Sequence, residues 1–165
     1  MNRESVSIAI NFAVLLLLQV FVFNAIYLGV YINMLIYPVF ILFLPTNLSR
    51  LSVLLLSALM GFSVDLLSAG DLGLHMAACT IIGFLRPVLL KKVSNNEIQA
   101  DIPKIKGNFV QYAAYTGILI VLHHLFLFLL EAFAIRDILF TLSRTAASSV
   151  VNFCMIYFVR LLKRT

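Results

Sequence analysis

Cysteine is scarce in this 165-residue chain: Cys79 and Cys154 are the only two, and both lie in apolar runs. In that setting they read as small buried hydrophobes, not as a disulfide or a metal site. Charge is scarce as well. Only 12% of the residues are charged, and the net charge of +5 is not gathered on one stripe, so nothing suggests nucleic acid. No repeat or low-complexity tract is evident. Catalytic constellations are missing too: there is no serine-histidine-aspartate arrangement with supporting context, no phosphate loop, no paired acidic motif on one face and no HExxH. The motifs therefore imply no catalytic residue, no metal and no cofactor.

Apolar residues fill the space instead. They make up 62% of the chain, and the mean hydropathy is +1.06. Soluble domains run at about 45–50% apolar. A water-soluble fold of this length could not hide the excess, so lipid must be the solvent. The expected fold class is an all-α integral membrane protein forming a single membrane domain over residues 1–165. The apolar run from Val6 is long and no small-residue cleavage site follows it, so it reads as a span and not as a cleaved signal.

Six apolar segments can be marked: Val6–Leu28, Tyr31–Leu44, Leu51–Leu67, Leu72–Leu90, Phe109–Leu130 and Ile138–Leu162. A spanning helix needs about 20 apolar residues. The second segment is shorter and carries Pro38; as a span it is kinked, tilted or set in a thinned bilayer. With six transmembrane helices and a cytoplasmic N-terminus, the cytoplasmic side receives Arg3, Arg50, Lys91, Lys92, Lys104, Lys106, Lys163 and Arg164, with Arg86 and Arg160 close by. The outer side keeps Arg136, and Arg144 lies inside the last helix. That asymmetry predicts both termini in the cytoplasm. The outer loops are tiny, and the one sizeable polar stretch, Lys91–Gly107, lies on the cytoplasmic side.

Ionisable residues inside the apolar segments are the candidates for function. Asp65 falls just before the turn between the third and fourth segments and His75 just after it. At about 1.5 Å rise per residue they share a shallow depth. Arg144 enters with the last helix at a slightly greater depth, so an Asp65–Arg144 pair with His75 alongside is expected. Unpaired charges there cost about 2.5–3.5 kcal/mol or more. Such a cluster is either a set of struts between helices or the lining of a ligand or partner site. Asp71 sits in the turn and is expected to be solvated. Arg86 is expected to snorkel to the interface, and Pro87 to kink or end the fourth helix. His123 and His124 point about 100° apart, so at most one can face a given site. Asn11 and Gln19 read as interhelical hydrogen bonders. Small residues four apart (Ser57 with Gly61, Cys79 with Gly83, Ala113 with Gly117, Thr145 with Ser149) read as close-packing positions.

Three stretches carry a family resemblance: "LLLLQVFVFNAIYLGVYINMLIYPVFILFLP" (Leu15–Pro45), "GFSVDLLSAGDLGLHMAA" (Gly61–Ala78) and "FLRPVLL" (Phe84–Leu90). Through them nearly the whole chain resembles the rod shape-determining protein family MreD, in its Bacteroidetes-type form. The central signature of that family looks like an aspartate-leucine pair, a short turn, then a glycine and a histidine, here Asp65, Leu66, Gly73 and His75. The INP tripeptide expected after the first helix reads "INM" at Ile32–Met34. The resemblance implies a non-enzymatic inner-membrane component of the elongation (rod) complex, supporting cell shape and lateral peptidoglycan synthesis. The partners it implies are an MreC-like periplasmic protein, MreB, RodA and its transpeptidase. The family fold also looks like the substrate-binding component of energy-coupling-type vitamin importers. A small-molecule binding membrane subunit is therefore the alternative, with Asp65, His75 and Arg144 as its polar pocket. An intramembrane enzyme is a third class, without a motif.

Overall fold

The computed structural model describes residues 3–68, 71–93, 108–132 and 137–162. They form the helices α1 (Arg3–Phe21), α2 (Pro38–Leu42), α3 (Arg50–Leu67), α4 (Leu74–Val93), α5 (Phe109–Ala132) and α6 (Ile138–Leu162), with a single 3-10 turn at Phe23–Ala25. No strand occurs among the described residues. Five helices, all but α2, are long and apolar enough to cross a membrane. Most of the Lys91–Gly107 stretch, together with Arg136, Lys163 and Arg164, lies outside the described residues.

Side-chain contacts fix the direction of every element. At the start of α1 the Glu4 carboxylate accepts from the Asn47 amide, 3.2 Å away, just before α3 begins. Beyond the end of α1 the Asn24 amide donates to Ser68 Oγ at 2.9 Å, just after α3 ends. The helices α1 and α3 are therefore parallel, and the chain between Asn24 and Asn47 must return through the thickness of the bundle. We call the face with Arg3, Arg50, Lys91 and Lys92 proximal, and the face with Asn24, Ser68 and Asp71 distal. The helix α4 descends from the distal face as the partner of α3. The helix α5 rises, since Tyr115 meets Leu42 and His123 meets Tyr37. The helix α6 descends beside the return segment, with Ser148 at Tyr31 and Asn152 at Leu35. Both ends of the described chain thus lie on the proximal face.

The return segment departs from the expected kinked helix. From Ile26 to Ile36 it has no regular helix, and only Pro38–Leu42 coils into one short turn of α-helix. Proline at the first helical position starts that turn, because its missing N–H needs no partner there. Irregular backbone at membrane depth is tolerated only where protein, not lipid, surrounds it. The burial pattern fits this: Tyr37, Ile41 and Leu42 are fully buried, and Leu35, Ile36, Phe40 and Leu44 nearly so. The stretch Leu35–Leu44 is the centre of the core and the long helices pack around it, whereas Ile26, Tyr27, Leu28, Val30 and Tyr31 at the start of the segment are exposed.

Close contact between α3 and α4 rests on glycine. A Cβ at Gly61 would run into the backbone of α4, with Met76 Cα at 2.5 Å, and one at Gly83 would meet Ser57 Cβ at 2.7 Å. Two of the four small-residue pairs read from the sequence are thereby used inside the molecule. The helix α4 does not end at Pro87 but continues to Val93. The proline withholds an N–H from the Gly83 carbonyl, and Lys91 and Lys92 occupy the last turn, where positive charge favours the helix dipole.

Candidate functional site

The polar interior divides into three groups, and the first explains the opening turn of α4. The Asp65 side chain is fully buried at the end of α3. Its Oδ2 accepts from the backbone N–H of Gly73 and of Met76, both at 3.0 Å. Its Oδ1 accepts from the backbone N–H of His75 at 3.1 Å and faces His75 Nδ1 at 2.8 Å. A helix leaves its first N–H groups without internal partners. Here a carboxylate from the neighbouring helix supplies them, with Gly73 in the left-handed region at φ 97° to turn the chain inward. Since a carboxylate offers only lone pairs, the proton of the shared bond sits on His75 Nδ1. Leu66 of the same signature is exposed on the lipid-facing side.

Arg144 does not join this group. Its guanidinium pairs with Glu131 Oε2 at 2.9 Å and lies 4.2 Å above the Phe128 ring. Shared depth put Arg144 within reach of Asp65, but α5 carries a nearer carboxylate. The apolar segment read from the sequence stops at Leu130, but α5 runs on to Ala132 and presents Glu131. Asp71 is exposed in the turn, as expected.

The second group holds the return segment. On one edge, Asn152 Oδ1 accepts from Leu35 N at 2.7 Å while its Nδ2 donates to Asn33 O at 2.7 Å. Ser148 Oγ accepts from Asn33 N at 3.0 Å and donates to Tyr31 O at 3.1 Å. On the other edge, Gln19 Oε1 accepts from Ile36 N at 2.7 Å and its Nε2 donates to Met34 O at 3.2 Å. The alternation 31, 33, 35 against 34, 36 is that of an extended strand, with side-chain amides in place of neighbouring strands. Asn152 also lies 3.2 Å from His124 Nε2. His124 Nδ1 donates to Ile120 O at 2.9 Å, so Nε2 is free to accept. His123 is used separately, its Nε2 sharing a 2.9 Å hydrogen bond with the Tyr37 hydroxyl. Tyr37 stands edge-on between His75 and His123, with ring centroids 5.6 Å and 5.3 Å away. His123 and His124 are both buried, each serving a different partner. Gln19 joins α1 to the return segment rather than to another helix, and Asn11 reaches only Ser7 of its own helix.

The third group lies toward the proximal face. Arg86 is 2% exposed and does not snorkel. Its guanidinium donates to the Leu44 carbonyl and lies beside the Tyr115 hydroxyl. Tyr115 in turn donates to Leu42 O at 2.9 Å. The carbonyls left open where α2 ends are thus met by α4 and α5.

Sequence reasoning missed Asn152, Ser148, Glu131 and Tyr37. The signal for the first two was present: Thr141, Thr145, Ser148 and Asn152 recur at helical spacing, and all are buried. Among the described residues no three His, Cys, Asp or Glu side chains are placed to hold a metal ion. The polar groups are spent mainly on backbone. The class this defines is an all-α, multi-pass membrane protein built around one unwound traverse. No family model, curated protein or solved structure matches the chain.

Proposed function

We propose that this chain is a non-enzymatic component of the bacterial elongation complex in the inner membrane, as its resemblance to the MreD family implies. It supports cell shape by binding an MreC-like partner, with MreB, RodA and the transpeptidase as further members of the assembly. One observation carries the reading: the signature residues Asp65, Gly73 and His75 are tied into the α3–α4 hairpin. They brace a fold instead of lining an open reaction site, which suits a protein that works through its outer surfaces. The connections among the described residues are also short, leaving the helix faces and the proximal side for partners. The proximal face carries Arg3, Arg50, Lys91 and Lys92 and is assigned to the cytoplasm by the positive-inside rule.

The importer reading draws on a different observation. His123 Nδ1 is buried without a hydrogen-bond partner, beside Tyr37 and in the same interior as His75. A small polar ligand would use such a nitrogen. Depletion in a rod-shaped host separates the two readings. Rounded cells with normal vitamin uptake are expected; normal shape with a specific uptake defect overturns the scaffold reading in favour of the importer.

A further inference from the structure

Arg86 and Arg144 lie inside long helices, away from the helix ends, and they are treated differently. Arg144 has the carboxylate of Glu131. Arg86 forms no ion pair among the described residues. Glu4, a carboxylate on the proximal side, is engaged with Asn47 at the rim. Arg86 is 2% exposed, and its Nε is buried with no acceptor. A guanidinium carries five N–H donors and never loses its charge in proteins. A neutral oxygen, Leu44 O, satisfies part of the donor set and none of the charge, and the neighbouring Tyr115 hydroxyl is neutral as well. Buried charge without a partner is strongly disfavoured, and a buried donor left open points to an ion or ligand that completes it.

Depth narrows the choice of ligand. Lys91 and Lys92 are exposed and mark the proximal rim. Arg86 is five residues up the same helix, about 7–8 Å deeper. That is within reach of a headgroup from the leaflet on this side. The rim adds Arg3 and Arg50, both exposed, so the surrounding field draws anions. The fork of a guanidinium matches the paired oxygens of a phosphate.

We propose that Arg86 anchors a binding site for a phosphate-type anion, opening at the proximal face between α4, α5 and the turn after α2. The phosphate of an anionic phospholipid in the proximal leaflet is its source. The site does not depend on the cell-shape reading.

The test uses the full chain, purified in neutral detergent and offered phosphatidylglycerol, phosphatidylcholine or inorganic phosphate, with bound lipid read by native mass spectrometry. Wild type is expected to retain phosphatidylglycerol over phosphatidylcholine. Arg86→Lys keeps a charge but loses the fork, and is expected to weaken retention about tenfold; Arg86→Gln is expected to abolish it. Arg50→Gln, an exposed rim residue, is expected to leave retention near wild type. If millimolar inorganic phosphate displaces the lipid, the source is a soluble phosphate and the lipid assignment falls. If wild type shows no preference for the anionic lipid and binds no phosphate, the site does not exist. That wild-type arm decides the matter even if Arg86→Gln fails to fold. Equal retention by wild type and a folded Arg86→Lys that also matches Arg86→Gln assigns any preference to the rim and overturns the proposal.

Discussion

Gln19 and Asn152 hold opposite edges of the same extended stretch: Gln19 takes Ile36 N and Met34 O, and Asn152 takes Leu35 N and Asn33 O. Each amide offers one acceptor and one donor group, the pair a neighbouring strand would present. Removing either leaves two buried backbone groups without partners, at about 1–3 kcal/mol for each. Gln19→Ala and Asn152→Ala are therefore expected to lower the thermal midpoint of the detergent-purified protein clearly. Asn152→Asp should fare no better, because it sets a carboxylate oxygen against the Asn33 and Ser148 carbonyls. Asn11→Ala, whose amide is exposed and reaches only Ser7 at 3.5 Å, should stay within about 0.5 kcal/mol of wild type. Equal midpoints for all four variants would remove the clamp from this account.

The Asp65 carboxylate answers three backbone N–H groups and one imidazole. Asp65→Asn keeps the shape but turns an NH2 toward donors, so it should cost more than His75→Ala, which leaves the three backbone bonds in place. Hydrogen exchange at the first turn of α4 measures this directly. Protection there should collapse in Asp65→Asn and persist in His75→Ala; the reverse order would make His75, not the carboxylate, the cap.

Arg144 belongs to Glu131, which is 41% exposed at its side chain. An ion pair that open is worth about 0–1 kcal/mol, while Arg144 also covers Phe128. Arg144→Gln should therefore cost more than Glu131→Gln. The two changes together should cost less than their sum, since they share an interaction. Asp65→Asn with Arg144→Gln should be additive. Coupling between Asp65 and Arg144 in a double-mutant cycle on folded protein level would contradict the separation seen here.

The long helices were legible because an apolar run of spanning length has few alternatives in lipid. The Asp65–His75 contact was legible because a tight turn fixes the depth of both residues. The partner of Arg144 was not: depth restricts a residue to a layer, and within a layer several helices compete. The unwound traverse was hidden for a related reason. "YINMLIYPVFILFL" has the composition of a helix, and what keeps it extended is carried by Gln19, Ser148 and Asn152, the last two more than a hundred residues away in sequence. Arg86 looked close enough to the interface to reach water; the turn after α2 offered it carbonyls first.

The unwound traverse makes an even number of crossings with five long helices. Single cysteines at Asn47 and Asp71 lie at opposite faces, so a membrane-impermeant maleimide added to intact cells should label Asp71→Cys and spare Asn47→Cys. Labelling of both from the same side would place the return segment on one face and break the parallel pairing of α1 with α3.

Three glycines give a graded test of how closely the helices approach. At Gly61 a methyl group meets backbone, His75 O and Met76 Cα. That backbone cannot withdraw freely, because the His75 and Met76 N–H groups are fixed to Asp65. At Gly83 the obstacle is the Ser57 side chain, which is buried and donates to Val53 O at 2.7 Å. Its Oγ can turn away by giving up that bond, while its Cβ, 2.7 Å from the added methyl, yields only if the two helices part slightly, one fixed atom against the run of backbone met at Gly61. At Gly117 the nearest atom is a Phe153 ring carbon at 3.9 Å, an ordinary contact. A methyl there fills no occupied space, and alanine is favoured over glycine in a helix interior by about 0.5–1 kcal/mol. Gly61→Ala should therefore lose the most stability, in the overpacking range of about 1–3 kcal/mol or above. Gly83→Ala should lose less, and Gly117→Ala should be neutral or slightly stabilised. Thermal midpoints of the three variants in one detergent decide the order. A harmless Gly61→Ala would mean that α3 and α4 stand further apart than described, and the Asp65 cap, which spans that gap, would go with it.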